Sequence, residues 1–164
     1  MERSNVTSAA VIEALTLASN PQGGWYRMVH ESPAPDGGRP IANIINYLVD
    51  ATSPISWFHR MSADAMHYFH QGDPLIVHLL DRRGVLRREV LGPDLDAGHL
   101  LQVAVPGGTW KAFELLGNDW ALISEAVTPG WVPHDQEEAT ADLADLADHC
   151  DPAHRAEVLR LVRT

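Results

Sequence analysis

From Ile41 to Val127 the chain advances in short runs rich in β-branched and aromatic residues, each stopped by a cluster of Pro, Gly or Asp. The runs are Ile41–Val49, Ala65–Phe69, Leu75–Leu80, Leu86–Leu91, Leu100–Val105, Thr109–Leu115 and Trp120–Val127. The breaks include Pro35-Asp36-Gly37-Gly38, Gly72-Asp73-Pro74, Gly92-Pro93-Asp94 and Pro106-Gly107-Gly108. Seven or more short strands at this spacing predict an antiparallel sandwich or barrel, and no long helices alternate with them to build a parallel sheet. The flanks read differently. Thr7 or Ser8 can cap a helix carrying Val11, Ala14, Leu15 and Ala18, which ends at Asn20-Pro21-Gln22-Gly23-Gly24. A helix over Glu137–His149, with Leu143 and Leu146 on one stripe, precedes a second one opened by Asp151-Pro152 and containing Val158, Leu159 and Val162.

With 164 residues the chain suits one core. We divide it into an N-terminal helix (1–20), a barrel (21–132) and a helical tail (133–164). Twelve Lys and Arg against 22 Asp and Glu give a net charge of −10 before histidine is counted. An acidic chain with no basic run longer than a pair is a poor match for a nucleic-acid backbone. The apolar runs fall short of the roughly 20 residues of a membrane span. The N-terminus lacks the apolar region of a secretory signal. Cys150, the single cysteine, permits no internal disulfide. The expectation is a soluble cytoplasmic protein that takes a small molecule rather than nucleic acid or a membrane.

Nine histidines are the chemically suggestive feature, and three of them, His59, His67 and His70, fall in one aromatic-rich segment. That segment also carries a resemblance. Gly23-Gly24-Trp25-Tyr26-Arg27, Asn46-Tyr47-Leu48 and Ser56-Trp57-Phe58-His59-Arg60 are followed by Gly72-Asp73-Pro74-Leu75 and Leu91-Gly92-Pro93-Asp94-Leu95. Val105-Pro106-Gly107-Gly108-Thr109-Trp110 and Val127-Thr128-Pro129-Gly130-Trp131 complete the series. In order and spacing it resembles the small "cupin five" family of unknown function within the RmlC-like cupins, from about Pro21 to Trp131. The resemblance implies an all-β fold, a double-stranded β-helix (jelly-roll barrel) with short terminal helices, a pocket inside the barrel and a homodimer.

Cupins often hold a metal through two His and a Glu in a first motif and a His in a second. Laid on this sequence, those positions are Trp57, His59, Ala65 and Lys111, so the resemblance leaves His59 alone. One imidazole cannot repay the dehydration of a divalent ion. No cofactor is therefore expected. The alternative is a rearranged site for Fe, Mn, Ni or Zn made by His59, His67 and Glu125.

If position 65 faces inward, as the family Glu does, residues two apart put His67 and Phe69 on the same face. His59 and His67 would then line the cavity with Trp57 and Trp110 as apolar walls. The competing reading of His67 is a core histidine. Glu125 shares a face with Ala121 and Ile123 and is either an inward acid or a rim residue, the solvated reading leading slightly. Lys111 either points inward or snorkels out. Tyr26 and Arg27 follow a tight glycine turn, and Arg27 or Lys111 could clamp an anion. His78 reads as a packing or dimer contact.

These residues suggest acid/base chemistry of isomerase, epimerase, dehydratase or cyclase (lyase) type, with biosynthesis as the expected setting. His59 is the expected base, with His67 or Glu125 as the acid. Tyr26, Arg27, Trp57, Phe69, Trp110 and Lys111 are the expected substrate contacts. Two alternatives stand beside it: a metal-dependent oxygenase or lyase, and a binding barrel without catalysis.

Overall fold

The computed structural model describes residues 6–140 and 144–163. Helix α1 (Ser8–Leu15) is followed by strands β1 (Ala18–Ser19), β2 (Trp25–Ser32), β3 (Ala42–Asp50), β4 (Ile55–Met61), β5 (Asp64–Gly72) and β6 (Leu75–Leu80). Then come β7 (Leu86–Leu91), β8 (Gln102–Val105), β9 (Trp110–Leu115), β10 (Trp120–Thr128) and β11 (Gln136–Glu138). Two short helices, α2 (Ala144–Asp148) and α3 (Arg155–Arg160), close the chain. The strands form two antiparallel sheets of six and five, in the orders β1-β2-β3-β10-β5-β8 and β11-β4-β9-β6-β7. This is the jelly-roll barrel the resemblance implies, within the antiparallel sandwich or barrel that the punctuated runs predict.

Both faces of the five-stranded sheet are covered, and β9 shows the consequence. Five of its six residues are buried, so the strand carries no polar-apolar alternation. Phe113 and Leu115 face the barrel interior with Leu75, Val77 and Ile123. Trp110 and Ala112 face the other way and pack with Phe58 and Leu80 under the tail residues Leu146, Val158 and Leu161. Tail and sheet are also joined through backbone: Phe58 N–H donates to Leu161 O at 2.9 Å, and Ala139 N–H donates to Phe58 O at 2.8 Å.

The tail departs from the helical expectation. Residues 136–138, the first of them just before the expected helix and two inside it, form β11 and pair with β4. Among the described residues of that expected helix only Ala144–Asp148 is helical, and residues 141–143, with Leu143, lie outside the described residues. Backbone pairing on an open sheet edge outcompetes a short segment whose helix would rest on side-chain packing alone. Helix α1 starts at its expected cap, the Thr7 hydroxyl accepting from Ala10 N–H at 3.2 Å, but it ends at Leu15, and Ala18, expected on the helix, lies in β1. Among the described residues no helix is long and apolar enough to cross a membrane.

Candidate active site

A cavity of about 320 Å³ opens into the barrel between the sheets. It is lined by Asn20, Pro21 and Gln22 of the turn before β2, Tyr26 and Met28 of β2, Asn43, Ile45 and Tyr47 of β3, Ser56, His59 and Met61 of β4, and Phe113, Glu125, Val127, Trp131 and Gln136. The turn before β2 needs glycine. Gly23 and Gly24 have φ of 103° and 74°, and a side chain on Gly24 would meet Tyr47 and the Leu48 carbonyl. Gly23 O in turn accepts from the Tyr47 hydroxyl at 2.6 Å.

His59 reaches the cavity because β4 contains a bulge. Ser56 pairs with Phe113 and His59 pairs with Lys111, three steps on one strand against two on the other. Ser56 and His59 therefore both face inward, and Trp57 sits half-buried in the bulge. The His59 ring is fixed by its own strand: Nδ1 lies 2.8 Å from Trp57 O. A carbonyl only accepts, so Nδ1 carries the proton and Nε2 presents its lone pair to the cavity. Burial, reinforced by the nearby charge of Lys111, pushes the imidazole down to about 4, so it is neutral at physiological pH.

Across the sheet, β10 and β5 place Glu125 directly opposite His67. Glu125 Oε1 accepts from Lys111 Nζ at 2.7 Å, and Oε2 accepts from His67 Nε2 at 3.0 Å. Lys111 Nζ also lies 3.3 Å from His67 Nε2. All three side chains are buried, and Glu125 alone touches the cavity. Burial by itself would raise the Glu125 carboxyl, but the Lys111 ammonium and His67 outweigh it and hold it well below its ordinary range. His67 moves down, chiefly through burial and then through Lys111. The resting cluster is a carboxylate, an ammonium and a neutral imidazole, with no net charge. Burial also raises the Tyr47 phenol, which stays protonated.

Of the residues expected in the pocket, His59, Glu125 and Tyr26 line it, while His67 and Lys111 stand behind Glu125. Glu125 is thus an inward carboxylate rather than a rim residue. Four expected contacts lie elsewhere. Trp57 is displaced by the bulge, and Trp110 faces the tail, where the Arg60 guanidinium stacks on it at 4.5 Å. Phe69 shares the inward face of His67 but packs into the apolar interior. Alternation along β2 turns Arg27 away from Tyr26 and Met28, so its guanidinium donates to Leu15 O on the α1 side. His78 packs between barrel and tail, 3.0 Å from Glu114 and 3.1 Å from Glu157. Tyr47, Ser56, Asn43 and Met28 are cavity residues that the sequence reading did not select. Tyr47 and Trp131 did stand in the quoted motifs, which was the available signal.

The alternative metal site does not fit this arrangement. Lys111 Nζ occupies the position between Glu125 and His67 from which a cation would be held, and each Glu125 oxygen already accepts from a neighbour. A divalent ion there would have to displace an ammonium ion. Among the described residues no group of three or more His, Cys, Asp or Glu side chains is placed to hold a metal.

Residues 9–139 match the family described as Cupin superfamily (DUF985), and the chain belongs to it. It is 31% identical over 134 residues to the uncharacterized protein YML079W of Saccharomyces cerevisiae, covering 70% of this chain and 66% of that protein. The chain therefore spans just under two thirds of that relative's length. Among solved structures, protein SO0799 from Shewanella oneidensis is 31% identical with a TM-score of 0.86, covering 96% of this chain and 98% of that one. A hypothetical protein from Leishmania major is 29% identical with a TM-score of 0.81, covering 96% and 99%. Oxalate decarboxylase from Bacillus subtilis shares the fold alone, at 15% identity and a TM-score of 0.57 over 87% of this chain and 36% of that one.

Proposed function

We propose that the cavity is a metal-independent acid/base site acting on a small molecule, of isomerase, epimerase, dehydratase or cyclase type. The observation that carries this reading is the His59 tautomer: Nδ1 is committed to Trp57 O, and Nε2 faces the cavity opposite an ionised Glu125. His59 Nε2 removes a proton from a carbon beside a carbonyl and becomes an imidazolium. Burial and the Lys111 charge disfavour that cation, so it returns the proton to a neighbouring atom of the same substrate. Proton abstraction and return balance without a cofactor. Glu125, already ionised, acts as acceptor and orienter rather than as the initial acid, with Lys111 and His67 as the groups that keep it so.

His59→Gln and His59→Ala should lower turnover by about 10²–10⁴-fold, the usual contribution of a positioned general base. Full turnover by both variants would remove the assignment. Stoichiometric metal in protein purified without an affinity tag, lost in His59→Ala, would instead favour the metal-dependent alternative. Ligand recovered unchanged after prolonged incubation would favour a binding barrel, for which Phe113 and Trp131 supply the aromatic walls.

The assembly we propose is a cytoplasmic homodimer. The family resemblance supports the dimer, as does the exposure of Val29 on β2. Light scattering on the purified chain tests it, and a monomer at micromolar concentration would overturn it.

A further inference from the structure

We propose that the cavity takes an uncharged molecule that leads with a hydroxyl group on an apolar or ring-shaped body, and that it turns away carboxylates and phosphates. This rests on the acid/base reading above and names the ligand class of that same site.

The proposal follows from where each proton at the site is already committed. His59 spends its N–H on Trp57 O and shows the cavity an acceptor. Glu125 shows a carboxylate, each oxygen of which retains a free lone pair after accepting one bond. The Tyr47 hydroxyl donates to Gly23 O, so its oxygen is left as an acceptor, and Ser56 hydrogen-bonds to it. Asn43 Nδ2 donates one of its two hydrogens to Glu31 at 2.9 Å, and Oδ1 accepts from Trp131 N–H. Around Glu125 the lining groups His59, Tyr47 and the carboxylate itself thus present acceptors, which calls for a donor. The remaining donors stand at less buried positions and include the amides of Asn20 and Gln22, the latter already giving one hydrogen to Glu138. Gln136 has its Oε1 taken by Trp131 Nε1 at 3.0 Å, which leaves its amide NH₂, and the Tyr26 hydroxyl belongs to a residue 37% exposed. A ligand with a hydroxyl toward Glu125 and His59 and a carbonyl toward Gln136 or Tyr26 satisfies both ends.

Charge decides the rest. The residues lining the cavity include no Lys or Arg. Lys111, the cation nearest, is spent on Glu125, and Arg27 is on the other side of the strand. A carboxylate or phosphate entering here would meet a second carboxylate and several lone pairs with no unspent cation, so its dehydration would go unrepaid. An ammonium would find acceptors but would raise a neutral cluster to a net positive one beside Lys111. An uncharged hydroxyl meets neither penalty. Phe113, Trp131, Ile45 and Val127 supply the apolar wall for its body.

Matched six-membered-ring probes test this by ligand-observed saturation-transfer NMR on the full chain: trans-cyclohexanediol, hydroxycyclohexanone, cyclohexylammonium and cyclohexanecarboxylate at equal concentration. The diol and hydroxyketone should give signals that vanish when Ile45→Trp fills the cavity, or Met28→Trp where the first variant folds poorly. The carboxylate and the ammonium should bind at least about tenfold more weakly, a difference of about 1.4 kcal/mol. A cavity-dependent carboxylate or ammonium signal equal to that of the diol overturns the proposal. So does a diol that is silent, or one that still binds both filled variants. Turnover by His59→Gln is read separately. A carboxylate preference would remove the ligand class and leave the base, whereas full turnover without His59 would remove the base and leave the ligand class.

Discussion

The two faces of the five-stranded sheet bury comparable apolar side chains but treat polarity in opposite ways. Toward the tail, Phe58, Trp110, Val158 and Leu161 close an apolar layer in which His78 is buried, while the charged partners of its ionic contacts, Arg60–Glu137 and Arg160–Glu114, stay near the surface. Toward the barrel interior, the same sheet delivers His59 to the cavity and Lys111 into a buried network with Glu125 and His67. The first face follows the ordinary rule that charges stay wet. The second violates it at considerable desolvation cost, and such violations concentrate where chemistry is done. The difference separates a surface built for stability from one built to hold protons in chosen places.

Breaking the interior network should show the largest effect. Lys111→Met leaves Glu125 buried without its cation and should cost about 3–5 kcal/mol in chemical denaturation. Lys111→Met combined with Glu125→Leu should recover most of that loss, because the stranded charge is gone. If the double variant is as unstable as the single one, the network is not the reason. On the tail side, Phe58→Ala should cost about 3–5 kcal/mol through a cavity alone. It should leave probe binding in the barrel unchanged, and altered binding would show that the two faces are not independent.

A smaller effect is the pH dependence that His59 adds on the barrel side. His59 has an ordinary value near 6.5 when unfolded and about 4 when folded, so the unfolded chain binds the extra proton between those limits. Its contribution is fully present above about pH 6.5 and is lost as pH falls toward 4. Thermal melts at pH 7 and 5 should show that loss, and His59→Gln should flatten it. Burial lowers His67 and His78 as well, and their slope should persist in the variant. The smallest expected change is Glu137→Ala. Its exposed pair with Arg60 is worth under about 1 kcal/mol, and a larger loss would mean that the Arg60 stack on Trp110 depends on it.

Much of the scaffold was legible because strand punctuation is local. Leu75–Leu80 and Leu86–Leu91 coincide with β6 and β7, and Trp120–Val127 differs from β10 by one residue. Strands β2 and β4 were not among the expected runs. Strand β2 is largely exposed along its length with no polar-apolar alternation, and β4 carries a bulge, so neither repeats cleanly. The site was legible in part. Counting in twos from Ala65 and Ala121 aligned His67 and Glu125, which the structure pairs directly. The same counting placed Trp57 beside His59, and there one inserted residue shifted the face.

Residue order alone set the punctuated β pattern, the family motifs and the vacancies at Trp57, Ala65 and Lys111, because each depends on neighbours within a few residues. Whether Lys111 would reach water or a carboxylate could not be read locally, since its partners stand 14 and 44 positions away. Closing the barrel brought them within hydrogen-bond reach, excluded water and so fixed which groups are charged and which proton acceptors face the cavity.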